Sequence, residues 1–380
     1  MILLIFGFHE TLSGSSNELN PVILILIINR IKSRISDLKM ADFHRRLQRL
    51  RDRAAGITIP RLFRDRLNPL EVVSPEEVFR RYRFRPESII TLVTLMFPLL
   101  ERATLRSCPL PPLLSVLVTL HFVASSSHYT VIGDVHGLSA SSVCRAVRRV
   151  IIIMAGLAKR VVSFRRDVGV CKAEFYALAG FPNVIGLIDG TQVRVRAPHE
   201  FEADYVNRKG YHSINVQMVC DAKLRFMNVV AKWPGSVHDS RIFKESRLAS
   251  ELEQGQHNGY ILGDSGYGCK PYLLTPYLNP RTGPQERYNE ALVRTRVTVE
   301  RSFGVLKRRF PCLSYGLRLE PEMACQVIIA CVFLHNYGIE HRDIMANMHD
   351  ATDIDQPQAD VIPANENGLR YRDIVAQRYF

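Results

Sequence analysis

The sequence predicts an α/β fold preceded by an all-helical stretch, and three observations carry that prediction. Up to about Gly156 the apolar residues recur at helical spacing. After Gly180 they gather into short runs of strand character, Val184 to Asp189, Ser213 to Cys220, Met227 to Lys232 and Tyr260 to Asp264. Two long helical patterns close the series, about Tyr288 to Arg309 and Pro321 to His341.

A chain of 380 residues can hold two or three domains. The expected divisions are a basic N-terminal extension over 1–66, a helical DNA-binding domain over 67–178, an α/β domain over 179–345 and a C-terminal tail over 346–380. The tail from Arg342 reads as loosely ordered. Fifty Lys and Arg against 37 Asp and Glu give a net charge of +13. That balance suits a polyanionic partner, either nucleic acid or an acidic membrane surface. Twelve of the cations fall between Arg30 and Arg66, opposed by four acids, and Phe43, Leu47, Leu50 and Ala54 recur there at helical spacing. Part of the segment reads as a basic amphipathic helix, and the whole as either a DNA-contacting arm or a solvated one. The apolar patches Met1 to Phe8 and Val22 to Ile28 fall well short of the roughly 20 residues a membrane span needs, so no membrane partner is expected. Residues before Met40 read as an extension of little function.

The eight cysteines are scattered and none forms a CxxC pair, which excludes a zinc ribbon and marks them as small buried hydrophobes in a reducing compartment.

Ser74-Pro75-Glu76-Glu77 opens a capped helix, and apolar helices follow over Ile89 to Leu100 and Leu113 to Ala124. Ile132 to Val143 then fits a helix-turn-helix: an apolar first helix, a turn at Gly137, and a Ser-capped second helix to Val150 or beyond. Val143, Ala146 and Val150 would face the core. Arg145, Arg148 and Arg149 would face outward, where a recognition helix meets the major groove.

In the α/β part, three antiparallel strands come first and a helical crossover returns the fourth beside the first, which is the order of an RNase H-like core. Asp189, on the first strand, and Asp264, at the end of the fourth, then become neighbours despite lying 75 positions apart. Two further acids stand in distinctive settings: Asp239 in Val237-His238-Asp239-Ser240 and Glu300 in Val299-Glu300-Arg301-Ser302. Carboxylates in such number suit hard divalent cations, which leave positions open for a substrate phosphate. Glu300 is the only acid between Arg294 and Arg309, among six cations, as expected of a helix lying along a DNA backbone. The plainer alternative is a surface helix with Glu300 paired to Arg296 at i,i+4. His238 reads as a cap for the helix Asp239 begins, Trp233 as a packing residue at a turn, and Asn207-Arg208-Lys209 as a basic loop.

The blocks IDGTQVRVRAP, YVNRKGYHSINVQMVCDAKLRFMNVVAKWPGSVHDSRIF, GYILGDSGYGCKPYLLTPY, RYNEALVRTRVTVERSFGVLKRRF and IIACVFLHN resemble, in order, the PIF/Harbinger superfamily of DDE transposases and its domesticated nuclease relatives. The resemblance implies that Asp189, Asp264 and Glu300 form the DDE triad, with 35 residues between the last two, and that Asp239 is a further metal ligand. It implies Mg²⁺ or Mn²⁺ as cofactor, two-metal hydrolysis of DNA phosphodiesters, and Arg296 and Lys307 positioning phosphate. Those two cations and Glu300 keep the R-x₃-E-x₆-K spacing of bacterial insertion-sequence transposases, but Val293 stands where those have tyrosine. A Myb-like protein partner that assists DNA binding and nuclear import is also implied; the expected location is the nucleus, with the cytoplasm second, and homo-oligomerisation is left open by the sequence. A catalytically silent DNA-binding or scaffold protein is the alternative function.

Overall fold

Strand β1 (Val184–Arg194) is buried along its length except at Arg194, because both faces of the sheet it centres are covered. Its near-continuous apolar sequence follows from that position. The computed structural model describes residues 68–101, 109–165, 167–343 and 365–380. Arg66–Phe380 form one compact unit, while Met1–Asp65, with the basic arm read around Arg45 to Arg53, lie outside the described residues.

β2 (Ser213–Cys220) pairs antiparallel with β1, and β3 (Phe226–Pro234) antiparallel with β2. Asp221 closes their hairpin: its Oδ1 accepts from the N–H groups of Lys223 and Arg225 at 2.8 and 2.9 Å. β4 (Tyr260–Leu262) lies parallel to β1 on its other side, and β5 (Leu273–Leu274) extends the sheet to the order β3-β2-β1-β4-β5. Three antiparallel strands followed by a fourth parallel to the first is the expected order. β5 was not expected; two residues inside a Pro- and Gly-rich stretch carry no periodicity.

Before the sheet come α1 (Pro69–Val72), α2 (Pro75–Tyr82), α3 (Pro86–Leu100), α4 (Pro112–Ser125), α5 (Tyr129–His136), α6 (Ala140–Val161) and α7 (Val168–Ala179). Helical structure thus runs well past Gly156. Ser74 caps α2 by accepting from the Glu77 N–H, as its motif predicts. The crossover to β4 is α9 (Asp239–Lys244) and α10 (Arg247–Glu253), preceded by the short α8 (Glu202–Tyr205). Then follow α11 (Gly283–Arg309), α12 (Cys312–Tyr315), α13 (Pro321–Glu340) and α14 (Glu366–Tyr379). α11 begins one turn earlier than its apolar pattern shows, with Thr282 as cap and Pro284 in the first turn.

β1 divides its residues between two cores, and an irregularity in its pairing between Val184 and Gly186 shifts the alternation by one residue. Val184 and Leu187 join the larger cluster with Met218, Val299, Phe303, Leu306, Val327 and Phe333. Ile185 and Ile188 join Val219, Ile261, Phe243, Leu248, Leu252 and Tyr267 on the opposite face. α13 is long and apolar enough to cross a membrane, but most of its apolar window is buried among neighbouring helices and β3, as the centre of a core.

The expectation of a loosely ordered tail is corrected over Glu366–Tyr379. α14 packs on β5 and α11, with the Tyr277 hydroxyl donating to Asp373 at 2.6 Å and the Arg372 guanidinium 3.9 Å from the Tyr277 ring. The described cysteines are all free thiols, most of them buried, in keeping with the hydrophobe reading.

His335 is fully buried on α13, its Nε2 donating to the Leu224 carbonyl at 2.8 Å. Burial, with the nearby Arg309 charge, pushes its pKa down to about 3. The unfolded chain therefore takes up a proton near pH 6.5 that the folded protein refuses. The stability this neutral imidazole permits is whole above pH 6.5 and is lost as pH falls towards 3. His335→Gln is expected to flatten the fall in melting temperature between pH 7 and 4.5; parallel curves for the two proteins would refute this.

Candidate metal centre

The parallel register pairs Leu187 with Leu262, and Asp189 and Asp264 each lie two residues further on. Both acids therefore reach the same end of adjoining strands, which is the convergence the strand order predicts. Asp189 points to the face that α11 covers, as Leu187 does. It is only 5% exposed. Its Oδ1 accepts from the Gly190 N–H, and its Oδ2 accepts from Arg296 Nη2 at 2.8 Å. Arg296 thus directs its ion pair across to β1, not along the helix to Glu300, and the surface-helix alternative for α11 fails here.

Asp239 comes from the opposite face. It opens α9, whose N-cap is His238: the imidazole Nδ1 accepts from the Ser240 N–H at 3.3 Å, as expected of a capping histidine. Asn215 of β2 donates to Asp239 Oδ1 at 2.7 Å and to the Val237 carbonyl at 2.9 Å, fixing both helix start and carboxylate. Gly190 makes this approach possible, since a Cβ there would lie 2.5 Å from Asp239 Oδ1. Asp264 Oδ1 accepts from the Gly266 N–H at 3.1 Å, and Glu300 is half-buried on α11.

The electrostatics show how crowded the acids are. Burial raises the Asp189 pKa, and the Asp264 and Glu300 charges add to it, while Arg296 and the Gly190 N–H oppose it. Burial also raises Asp264, where Arg296 again opposes and the Asp239 charge adds. Asp239 is pushed up to about 6, chiefly by burial; Asn215 holds it down, the Asp189 charge raises it, and His238 and Arg208 oppose. Tyr267, fully buried, is pushed far above its usual range by burial and the three aspartates.

Asn215 and Tyr267 are thus neighbours of these acids that the sequence reading missed, whereas Arg208, whose charge acts on Asp239, comes from the basic loop it singled out. Asn215 had a signal: Asn215 and Gln217 place polar side chains at period two on the otherwise largely apolar, buried β2.

Among the described residues, no three His, Cys, Asp or Glu side chains stand at metal-ligating separation around one point. The donors nevertheless fit a divalent ion in kind, being hard carboxylate oxygens. The group already gathers around a positive charge, the Arg296 guanidinium, whose pKa Asp189, Asp264 and Glu300 raise against the effect of burial.

The picture of α11 as a DNA-facing row of six cations is corrected. Arg309 is fully buried, Lys307 is 7% exposed and Arg296 serves Asp189, leaving Arg294 and Arg308 exposed and Arg301 half-buried. The reason is that α11 packs on both β1 and α13 as well as on the site. Lys307 lies two turns beyond Glu300 in the protein interior.

In the helical part, α5 ends at Gly137 with φ +65°, and Ser139 caps α6 by accepting from the Ser142 N–H. Val143, Ala146 and Val150 are buried, while Arg145 and Arg148 are exposed. Arg149 turns elsewhere: it donates to the carbonyls of Leu99 and Glu101 at 3.0 and 3.2 Å, satisfying the end of α3.

An α/β sheet with Asp189 and Asp264 at the same end of adjoining strands, and a long helix bearing Glu300 packed on it, is in keeping with the DDE class of domains. A family model described as DDE superfamily endonuclease matches residues 188–336, a stretch containing Asp189, Asp239, Asp264 and Glu300. The chain is 39% identical over 279 residues to a Bos taurus protein named "Putative nuclease HARBI1", covering 72% of this chain and 80% of the relative. The Homo sapiens protein of that name is 38% identical over the same shares, and that of Xenopus laevis is 32% identical over 82% of this chain and 92% of its own. The chain belongs to the Harbinger transposase-derived family within the PIF/Harbinger DDE superfamily. No solved structure matches it.

Proposed function

We propose that this protein is a divalent-metal-dependent DNA endonuclease that hydrolyses phosphodiester bonds by a DDE mechanism. The observation that carries the proposal is the approach of Asp189 and Asp264 to the same end of adjoining strands, with Asp239 reaching β1 at Gly190 and Arg296 of α11 paired to Asp189. The relatives' shared name as nucleases supports it.

In this reading the four carboxylates hold the metal. Bound there, Mg²⁺ or Mn²⁺ would lower the pKa of a nucleophilic water and stabilise attacking and leaving oxygens. Asn215 fixes the Asp239 carboxylate on one face of β1. Asp189 and Glu300 serve the other face, with Arg296, paired to Asp189, as a cation for a phosphate oxygen. Arg208, whose charge acts on Asp239, adds positive potential. Lys307 is given a supporting place on α11, behind the acids. The test is nicking of supercoiled plasmid with Mg²⁺ or Mn²⁺ and with chelator. Equal nicking in both would sink the metal reading.

The same Arg296–Asp189 pair favours one other reading, a catalytically silent DNA-binding protein whose site has closed on its own arginine. Absence of nicking with any divalent ion, alongside intact DNA binding, would select it.

We place the reader on the helices of 67–178, with α5 and α6 as a helix-turn-helix, and the nuclease on 179–345. DNA as partner follows from that assignment, while a nuclear site of action and assistance from a Myb-like protein rest on the family resemblance alone. Arg145→Ala with Arg148→Ala is expected to weaken binding to target duplex by about tenfold or more, since one good base contact is worth roughly 1–3 kcal/mol. The dependence on salt should become shallower if phosphates are contacted. Unchanged affinity and salt slope would reduce α6 to a packing helix.

A further inference from the structure

The acids of this site gather around a cation that belongs to the chain. Arg296 lies on α11 with its side chain 15% exposed, against an Asp189 side chain 7% exposed, and joins it through Nη2 at 2.8 Å. Asp264 and Glu300 act on the same guanidinium. The Arg296 Nε is buried without a hydrogen-bond partner. A guanidinium fixed in a permanent structural bridge normally satisfies its fork on two or more acceptors. This one is held at one end and left incomplete at the other, which is the arrangement of a group that can let go.

A divalent ion needs both the charge and the oxygens of Asp189, and one of those oxygens already accepts from Arg296. With Oδ1 on the Gly190 N–H and Oδ2 on Arg296, a divalent ion and the guanidinium compete for the charge of one carboxylate. We infer that Arg296 is the built-in counter-cation of the metal-free site: it holds Asp189 until a divalent ion displaces it, and the displaced guanidinium, with its free Nε, is then available to an incoming phosphate. The inference rests on the metal-dependent reading above and adds to it a direction of effect. Removing Arg296 should tighten metal binding, whereas a residue that merely scaffolds the acids would weaken it when lost.

The experiment titrates Mn²⁺ into the protein without DNA, followed by electron paramagnetic resonance of the free ion, for wild type, Arg296→Gln and Arg296→Lys. Glutamine keeps a hydrogen-bond donor and loses the charge; lysine keeps the competitor. Arg296→Gln is expected to bind Mn²⁺ about tenfold more tightly than wild type, and Arg296→Lys within about threefold of wild type. The melting temperature should add a second signature: Arg296→Gln melts lower than wild type in chelator and gains more on adding Mn²⁺. If Arg296→Gln folds only with Mn²⁺ present, the exchange is supported in its strongest form. If it fails to fold even then, or binds Mn²⁺ no better than wild type while wild type binds it, the counter-cation role is overturned and the metal reading stands. If wild type takes up no Mn²⁺ at this site, both fall together.

Discussion

Glu300→Gln is expected to lower metal-dependent plasmid nicking by at least about a hundredfold while leaving DNA affinity within about twofold of wild type. The substitution keeps length and hydrogen-bonding capacity and removes one charge. Losing a group that only orients a metal ligand already costs about 10- to 100-fold in affinity or activity, so losing a ligand should cost no less. Glu300 is half-buried, and its charge acts on Asp189 and Arg296, so its loss weakens the site without opening a core cavity. DNA affinity belongs to other residues, Arg145 and Arg148 among them on the present assignment. Nicking by Glu300→Gln equal to that of wild type would remove this glutamate from the metal set. Parallel loss of nicking and of DNA binding would instead make it a structural residue.

Asp343→Ala should produce the largest loss of stability among the substitutions considered, about 3 kcal/mol, the lower part of the range for breaking a buried ion pair. Asp343 is fully buried directly after α13. Its Oδ1 accepts from Arg85 Nε at 2.9 Å and from the Arg85 N–H at 3.2 Å. Its charge also favours the protonated form of fully buried Arg309, which burial pulls down to about 10 and whose Nη2 donates to the Asp343 carbonyl. Removing the carboxylate leaves the Arg309 cation in the interior with less compensation. It also releases the N-terminal end of α3 from the far end of α13. Arg85 is half exposed, so its share is modest and the expected cost stays near the lower limit. In a unit of this size the melting temperature should fall by roughly 6 °C or more. A shift below about 2 °C would mean that water or Arg85 rearrangement makes good the loss. Mn²⁺ binding should be unchanged in the folded protein.

Most of what positions the site was legible because it is written in short-range pattern. Val184 to Asp189 could be read as a buried strand from its unbroken apolar run, and the pairing of Asp189 with Asp264 followed from strand order alone. The parts that stayed hidden depend on partners distant in sequence. Arg149 looked like a neighbour of Arg145 and Arg148 on an outward face, yet the carbonyl end of α3, some fifty positions earlier, claims it. Arg309 looked like a DNA-facing cation, although Phe84 and Asp343 enclose it. The i,i+4 spacing of Arg296 and Glu300 suggested a local pair, and a carboxylate 107 positions away won because burial strengthens the longer-range pair. α14 was missed because Tyr371, Ile374 and Tyr379 are exposed and only Gly368, Val375 and Ala376 are buried, too few to set a helical period. α7 was missed for a related reason: Val170, Tyr176 and Leu178 are exposed while Cys171 and Phe175 are buried, so apolar residues occur all round it.

Gly190 has a bearing on how this lineage could be read. The Asp239 carboxyl group packs directly over the Gly190 hydrogen, and a methyl group there would meet all three carboxyl atoms of Asp239 at 2.5 to 2.9 Å. Nothing in the backbone asks for glycine at this position: its φ is not among the positive ones, and β1 continues through it in regular register with β2. A descendant with no use for the gathered acids would thus be free to gain a side chain at 190 by a single base change, keeping its fold and every charge. Position 190 is therefore a historical meter: across related genomes, the rate at which glycine gives way there would separate lineages still selected for an assembled site from those that retain only the shape.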